Sequence, residues 1–303
     1  MKFINSTVEP IVQQPGMDGM LKHIELCGRV SYKSEDKITD DSAEKFVQMI
    51  IDRGHTSVLE HGTVYLTIPA DKAEQEQDLI GLFNRNPYSC VRLGLDDNWY
   101  ITTNYRVIKQ SCAEWALKDY MTEPKPEHEL RHTFRFVCSR GVSHELVRHR
   151  VMSVTQESTR YCNYSKDKHG NELTFIIPEG VTDISNGEKF GPDDISTENV
   201  VKLTLEGKYS SKSLMLICAA VSCENIYMQM ATIGCTPQEC RDVLTHGIKT
   251  EVIMTGTIAE WNHFLGLRSK KNGAKGAHPD MVRVADMVYD HLVAEYSAMK
   301  SDK

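Results

Sequence analysis

The run Arg148-His149-Arg150-Val151-Met152-Ser153-Val154-Thr155-Gln156-Glu157-Ser158-Thr159-Arg160-Tyr161 gathers three arginines, a histidine and several short hydroxyl or amide side chains into fourteen positions. Guanidinium groups grip phosphates and carboxylates in a planar, bidentate way. Hydroxyls and nearby backbone N–H groups complete such cradles. The chemistry expected is the holding of a small anionic ligand, most simply a nucleotide. Arginine clusters also occur on solvated surfaces, paired here with Glu145 and Glu157, so other stretches of the chain must agree.

Other chemistries fit less well. No Ser-His-Asp order accompanies Ser158, and a hydroxyl beside arginines suits a phosphate better than it suits nucleophilic attack. His144 and His149 flank Glu145 but stand five apart, about 140° around a helix axis, where a zinc-protease motif needs a spacing of four. No metal site is expected. Nine cysteines (27, 90, 112, 138, 162, 218, 223, 235, 240) form no Cys-x-x-Cys. An odd number of scattered cysteines reads as reduced, packed thiols.

These residues need elements to position them. A strand at Thr133–Cys138 and a helix over 141–147 lead into the arginine run. Upstream, residues 2–14 suggest a first strand and 17–29 a helix with Met17, Met20, Leu21 and Ile24 on one face. Asp41 and Glu44 resemble an N-cap pair for a helix that Gly54 stops. Residues 54–61 read as a polar loop before a strand at Thr63–Ile68. Between 70 and 130 come a helix (75–85), a strand and helix (100–109) and a linker (123–127).

Downstream, Phe175–Pro178 reads as a short strand and 179–199 as a surface loop. The last third is helical. Residues 211–232 form a long apolar helix, and Thr236-Pro237-Gln238-Glu239 is a strong start for a helix carrying Arg241. Residues 251–254 read as extended and 258–268 as a helix ending at Arg268. A basic glycine-rich loop at 270–276 precedes a final amphipathic helix.

The 303 residues, 40% hydrophobic and 25% charged, allow a large core and one or two domains. A net charge of -7 argues against general nucleic-acid binding. No apolar run is expected to span a membrane. The start Met1-Lys2-Phe3-Ile4-Asn5 lacks the apolar core of a signal peptide. The expectation is a cytoplasmic protein without membrane or nucleic-acid partners.

The pattern Arg148-His149-Arg150, seven residues, Ser158, one residue, Arg160 resembles the hallmark of flavin-dependent thymidylate synthases. Further blocks follow the family's order. Arg29-Val30-Ser31 resembles its Arg-Val-Ser. Gly54-His55-Thr56-Ser57 with Leu59-Glu60-His61 resembles Gly-His-x-Ser/Thr-x-x-Glu-His. Gln238 to Leu244 resembles Glu-x-Ala-Arg-x-x-Leu, and Asn262 to Arg268 resembles Asn/His-Phe-x-x-Leu-Arg. Two departures stand out. Thr155-Gln156 replaces a common Asn-Glu, and about 65–70 extra residues intervene near 65–132, a length that argues for an ordered unit.

The resemblance implies an α+β fold of mixed helices and an antiparallel sheet: a single catalytic domain over 1–303 with an insertion at about 65–132. It implies dTMP synthesis from dUMP, with methylenetetrahydrofolate as carbon donor, FAD supplying hydride and NADPH as reductant. It also implies a homotetramer with active sites shared between subunits. Arg268 becomes the catalytic cation on the uracil ring. His55, Ser57, Arg148, His149, Arg150, Gln156, Thr257, Ile258, Ala259 and His263 become FAD-binding residues. Glu145, Leu146, Val147, Arg148, Gln156, Glu157, Ser158, Thr159, Arg160, Arg241 and Arg268 become nucleotide-binding residues. The alternatives are a nucleotide- or RNA-binding regulatory protein without redox chemistry, and a flavoenzyme acting on another pyrimidine nucleotide.

Overall fold

The computed structural model describes residues 1–166 and 170–301. Its strands are β1 (Lys2–Ile4), β2 (Thr7–Pro10), β3 (Thr63–Ile68), β4 (Cys90–Leu93), β5 (Trp99–Asn104), β6 (Arg131–Ser139), β7 (Ser153–Gln156), β8 (Thr174–Ile176) and β9 (Lys249–Thr257). Its helices are α1 (Gly16–Tyr32), α2 (Ala43–Asp52), α3 (Gln77–Arg85), α4 (Tyr105–Gln110), α5 (Glu114–Tyr120), α6 (Arg140–Leu146), α7 (Thr197–Glu206), α8 (Ser211–Thr232), α9 (Pro237–Cys240), α10 (Ile258–Arg268) and α11 (Pro279–Ser301).

The central sheet is antiparallel, in the order β2-β6-β9-β7. β6 and β9 pair from Arg131↔Thr257 to Ser139↔Lys249. Alternation divides their side chains between two faces. Phe134, Phe136, Val252 and Met254 lie on one face, against Trp261 and Phe264 of α10 and Val284 and Val288 of α11. Thr133, Arg135, Ile253 and Thr255 lie on the other, where Ile253 meets Cys27 and Val30 of α1. The sheet is thus sandwiched between helices, an α+β arrangement.

Between α1 and the sheet runs a buried chain of hydrogen bonds. His23 Nε2 meets Thr133 Oγ1 (3.1 Å), which meets Thr255 Oγ1 (2.7 Å). Thr255 Oγ1 meets His61 Nδ1 (2.8 Å), and His61 Nε2 meets Thr155 Oγ1 (2.9 Å). All five residues are buried.

The segment after residue 62 builds a second antiparallel sheet, β3-β5-β4, with α3, α4 and α5. Its Leu66, Ile68, Phe83 and Ile101 share one cluster with Met20 and Ile24 of α1 and Phe46 and Ile50 of α2. α1 and α2 approach closely because residue 28 is glycine: a Cβ there would lie 2.7 Å from Phe46 Cε1. A third pair, β1–β8, is parallel.

Other expectations need correction. Residues 2–14 hold two short strands rather than one. Helix α2 starts after Ser42 without a side-chain cap, because the Ser42 hydroxyl is drawn to Glu25 instead. Residues 56–61 form a 3-10 helix burying Val58, Leu59 and His61, not a polar loop. Residues 179–199 include the start of α7 and bury Val181, Ile184 and Phe190. Thr236 and Glu239 form the expected capping box, but α9 ends at Cys240, so Arg241 sits in a following 3-10 turn.

Helix α8 also corrects the membrane expectation. It contains a window of mean hydropathy 1.4 and is long and apolar enough, by length and composition, to cross a membrane. A core helix meets the same criterion, and α8 packs Leu214, Ile217, Val221 and Tyr227 against Phe3 and Phe175.

Candidate active site

Helix α6 opens on a Ser139 cap, whose hydroxyl accepts from the Val142 amide at 3.2 Å, and delivers Glu145 in its last turn. The chain then tightens: the His149 amide donates to Leu146 O, and Met152 donates to His149 O. This buries the His149 ring edge-on to Phe264, with centroids 4.9 Å apart. Helix α10 begins on a capping box between Thr257 and Glu260 and ends at Arg268.

The two helices meet at Arg268. Its Nη1 donates to Glu145 Oε2 at 2.6 Å and its Nε to His149 Nε2 at 3.3 Å. Burial pushes His149 down to about 4, helped by the positive charges of Arg268, His263 and Arg148. The imidazole is therefore neutral, and because guanidinium only donates, Nε2 is the acceptor and Nδ1 carries the hydrogen. A partly buried cation is held in one orientation by a carboxylate and a neutral ring. Such a cation suits a negative charge developing on a ligand.

The rest of the arginine run turns inward and outward by turns. Strand β7 lies inside it and pairs with β9. Thr155 takes His61, and Gln156 Nε2 donates to Ser143 Oγ (2.8 Å) and Thr250 Oγ1 (3.3 Å). Glu157 is buried, accepting from Lys249 Nζ at 2.9 Å and from the Tyr164 hydroxyl at 3.1 Å. Neither Glu145 nor Glu157 pairs with the arginines of its own run among the described residues.

Lys249 also reaches Glu251 at 2.6 Å, which Lys33 and Arg135 contact as well, with Glu35 nearby. Burial works to raise the Glu251 carboxyl, but Lys249 and Lys33 hold it at about 2. A cavity of about 310 Å³ opens beside this network, with Lys2, Lys33, Glu157, Tyr164 and Lys249 among its walls.

The Ser158 amide donates to Ser31 O, and its hydroxyl accepts from the Arg160 amide at 3.3 Å. Thr159 is buried. Arg160 is exposed over Tyr161, whose ring lies 5.2 Å from that of Tyr32, and the Tyr32 hydroxyl meets His55 Nδ1 at 3.1 Å. His55 and Arg160 thus flank one surface ridge. Arg148, Arg150, Val147, Ser57 and His263 are exposed, while the Leu146 side chain is buried in the core. Arg241 is exposed, with Asp242 at 3.9 Å. Thr257 caps α10, the Ile258 amide donates to Leu130 O, and the Ala259 amide donates to Glu129 Oε1.

One chain therefore assembles Glu145, His149 and Arg268, leaving the other motif arginines dispersed over its surface. A family model for the thymidylate synthase complementing protein matches residues 122–296. The chain belongs to that family. Of the site residues expected from the sequence, all except His55 and Ser57 lie within residues 122–296.

Among the relatives of this chain, the flavin-dependent thymidylate synthase of Pyrococcus furiosus is 32% identical over 147 residues, 47% of this chain and 49% of its own. That of Thermococcus onnurineus is 30% identical over 132 residues, 44% and 43% of the two chains. The chain thus spans about half the length of these curated relatives. Solved structures align at TM-scores too low to carry a fold assignment. The UMP/dUMP methylase PolB of Streptomyces cacaoi bound with 5-Br dUMP scores 0.41 at 16% identity, covering 97% of this chain and 93% of that one. Thymidylate Synthase X of Helicobacter pylori with FAD and dUMP scores 0.38 at 13%, covering 94% and 92%.

Sequence reasoning missed Lys33, Arg135, Lys249 and Glu251, and the partners Ser143 and Thr250. A faint signal existed: Lys249 and Glu251 alternate at the head of a strand whose middle, Val252-Ile253-Met254, is apolar.

Proposed function

We propose that this protein makes dTMP from dUMP by reductive methylation, with methylenetetrahydrofolate as carbon donor, FAD carrying the hydride and NADPH as reductant. The reading rests on a single catalytic domain over 1–303, with 65–132 as its insertion. The observation that carries it is Arg268, held at 2.6 Å by Glu145 beside a neutral His149, in a chain of this family. When bound, FAD supplies the hydride. The chain binds, orients and stabilises charge.

In this reading Arg268 lies on the uracil ring and favours its ionised form. Arg160, Arg241, Ser158 and the Thr159 backbone take the nucleotide phosphate, with Glu145, Leu146, Val147, Gln156 and Glu157 around the nucleotide. Arg148, His149, Arg150, His55 and Ser57, with Thr257, Ile258, Ala259 and His263, hold FAD. The donor set fits a dinucleotide: Arg148 and Arg150 are exposed and have no ion-pair partner among the described residues. Guanidinium groups of this kind suit a pyrophosphate.

Because these cations are spread over one chain, we propose that a second copy completes each site, within a homotetramer. Helix α8 offers a surface for such pairing. Met215, Ala219, Ser222, Ile226, Gln229 and Ile233 are exposed in alternating steps of four and three, the repeat of a helix-pairing seam.

Tritium release from carbon 5 of labelled dUMP, with methylenetetrahydrofolate and NADPH, tests the reaction, and flavin absorbance of the pure protein tests the cofactor. A protein that takes up no FAD and releases no tritium overturns the reading. Nucleotide binding without flavin would favour a regulatory protein instead.

A further inference from the structure

A cavity of about 300 Å³ lies between the inserted sheet and the arginine run. Ser89, Thr102 and Asn104 line one side, and Ser153 of β7 and Thr257 at the cap of α10 line the other, with Arg131 of β6 between. The first wall precedes residue 122, where the family match begins. The shared part of the family therefore supplies one side of this cavity, and this chain's own insertion supplies the other.

The insertion is fastened to the catalytic helix. Glu129 binds Arg92 of β4 through one oxygen and accepts the Ala259 amide of α10 through the other. Polar groups around the cavity are mostly satisfied. The Ser89 and Thr103 hydroxyls meet at 2.8 Å, Asn104 Oδ1 accepts the Val107 amide, and Arg131 donates to Glu60 O, Thr63 Oγ1 and Ser153 Oγ.

Thr102 is the exception. It is 2% exposed, it lines the cavity, and its hydroxyl has no hydrogen-bond partner among the described residues. Buried hydroxyls are nearly always paired, so an unpaired one at a cavity wall points to a partner supplied from outside the chain. The other unpaired atoms, on Thr67 and Arg106, belong to residues that do not line this cavity. A volume of about 300 Å³ is at the small end for ligand pockets and suits a single ring system. Hydroxyls, an amide and a buried guanidinium suit a flat heterocycle carrying C=O and N–H groups.

We propose that this cavity receives one ring system of FAD, with the Thr102 hydroxyl as a hydrogen-bonding contact, so that the inserted sheet forms a wall of the flavin site. The proposal rests on the flavin-dependent reading above and extends it to residues outside the family match.

Thr102→Val keeps the shape and removes the hydroxyl. The full-length protein, stripped of flavin, is titrated with FAD and followed by flavin fluorescence, and its thermal midpoint is measured without FAD. The expected variant unfolds at the wild-type temperature or higher without FAD, binds FAD about 5- to 10-fold more weakly, and is rescued by Thr102→Ser. Unaltered FAD affinity in Thr102→Val, or a lowered midpoint without FAD, overturns the proposal. If wild-type protein binds FAD and the variant binds equally, the wall falls while the functional reading stands. If wild-type protein takes no FAD, the functional reading falls first.

Discussion

Arg268 donates to Glu145 across 2.6 Å, joining the last turn of α10 to the last turn of α6. The pair fixes a guanidinium that the core does not otherwise need, since Arg268 packs at the rim rather than inside the cluster of Trp261 and Phe264. Arg268→Ala should therefore lower dTMP formation about 10- to 100-fold, the effect of losing a hydrogen bond to a charged group worth about 1.5–3 kcal/mol. The circular dichroism spectrum should stay that of the wild type. Loss of the folded spectrum would show the residue to be structural.

Acid should unfold the protein through its buried histidines. Burial, aided by the charge of Arg131, pushes His23 down to about 4 from 6.5. Burial also pushes His61 well below its ordinary value, with His23 and Arg131 repelling a proton. The unfolded chain binds protons at both near pH 6.5, whereas the folded chain binds one at His23 only near 4 and resists protonation of His61. Stability is therefore complete above about pH 6.5 and is lost as pH falls toward 4, with His23 alone accounting for about 3 kcal/mol. Thermal midpoints between pH 7.5 and 4.5 should fall steadily, and His23→Gln should flatten the slope. A pH-independent midpoint contradicts this.

Lys249→Met should be strongly destabilising. It removes the cation between Glu157 and Glu251. Lys33 and Arg135 remain for Glu251, but Glu157 keeps the Tyr164 hydroxyl and no charge partner among the described residues. Breaking a buried pair from one side costs about 3–5 kcal/mol. Urea unfolding measures it, and a loss under about 1 kcal/mol would mean that water already reaches the Glu157 carboxylate.

Ile226→Glu places a charge within the exposed stripe on α8, about three turns from Met215 and about two from Ile233. If copies of the chain pair through that stripe and complete one another's sites as proposed, light scattering should show smaller assemblies and tritium release should fall with them. An unchanged mass with unchanged turnover would move the interface elsewhere.

Much of the scaffold was legible in the sequence. Alternation in 133–138 marked β6, the extended reading of 251–254 fell inside β9, and the helix read from Ile258 ends on Arg268. The capping box at Thr236 was visible because its residues bond within one turn. What stayed hidden depended on distant partners. Glu157 looked like a surface mate for its own arginines, but Lys249, 92 positions away, takes it inside. Asp41 looked like the cap of α2, yet the helix follows Ser42, whose hydroxyl goes to Glu25. The arginine run marked its residue types correctly, yet not which would turn inward. Among the described residues of one chain, the neutral His149 and Glu145 are the side chains that bond Arg268.

The row of bonds from His23 to Thr155 sets a limit on what can be cut away. His23 and His61 stand before residue 122, yet they satisfy hydroxyls on three strands that lie after it. Trimming the protein to its recognisable portion would take the histidine partners from Thr133, Thr155 and Thr255, leaving the bond between Thr133 and Thr255, and would uncover the face of the sheet that α1 packs against. The unit that inheritance makes easy to recognise is therefore smaller than the unit that thermodynamics allows to stand, and a truncated fragment should be sought among aggregates rather than among soluble enzymes.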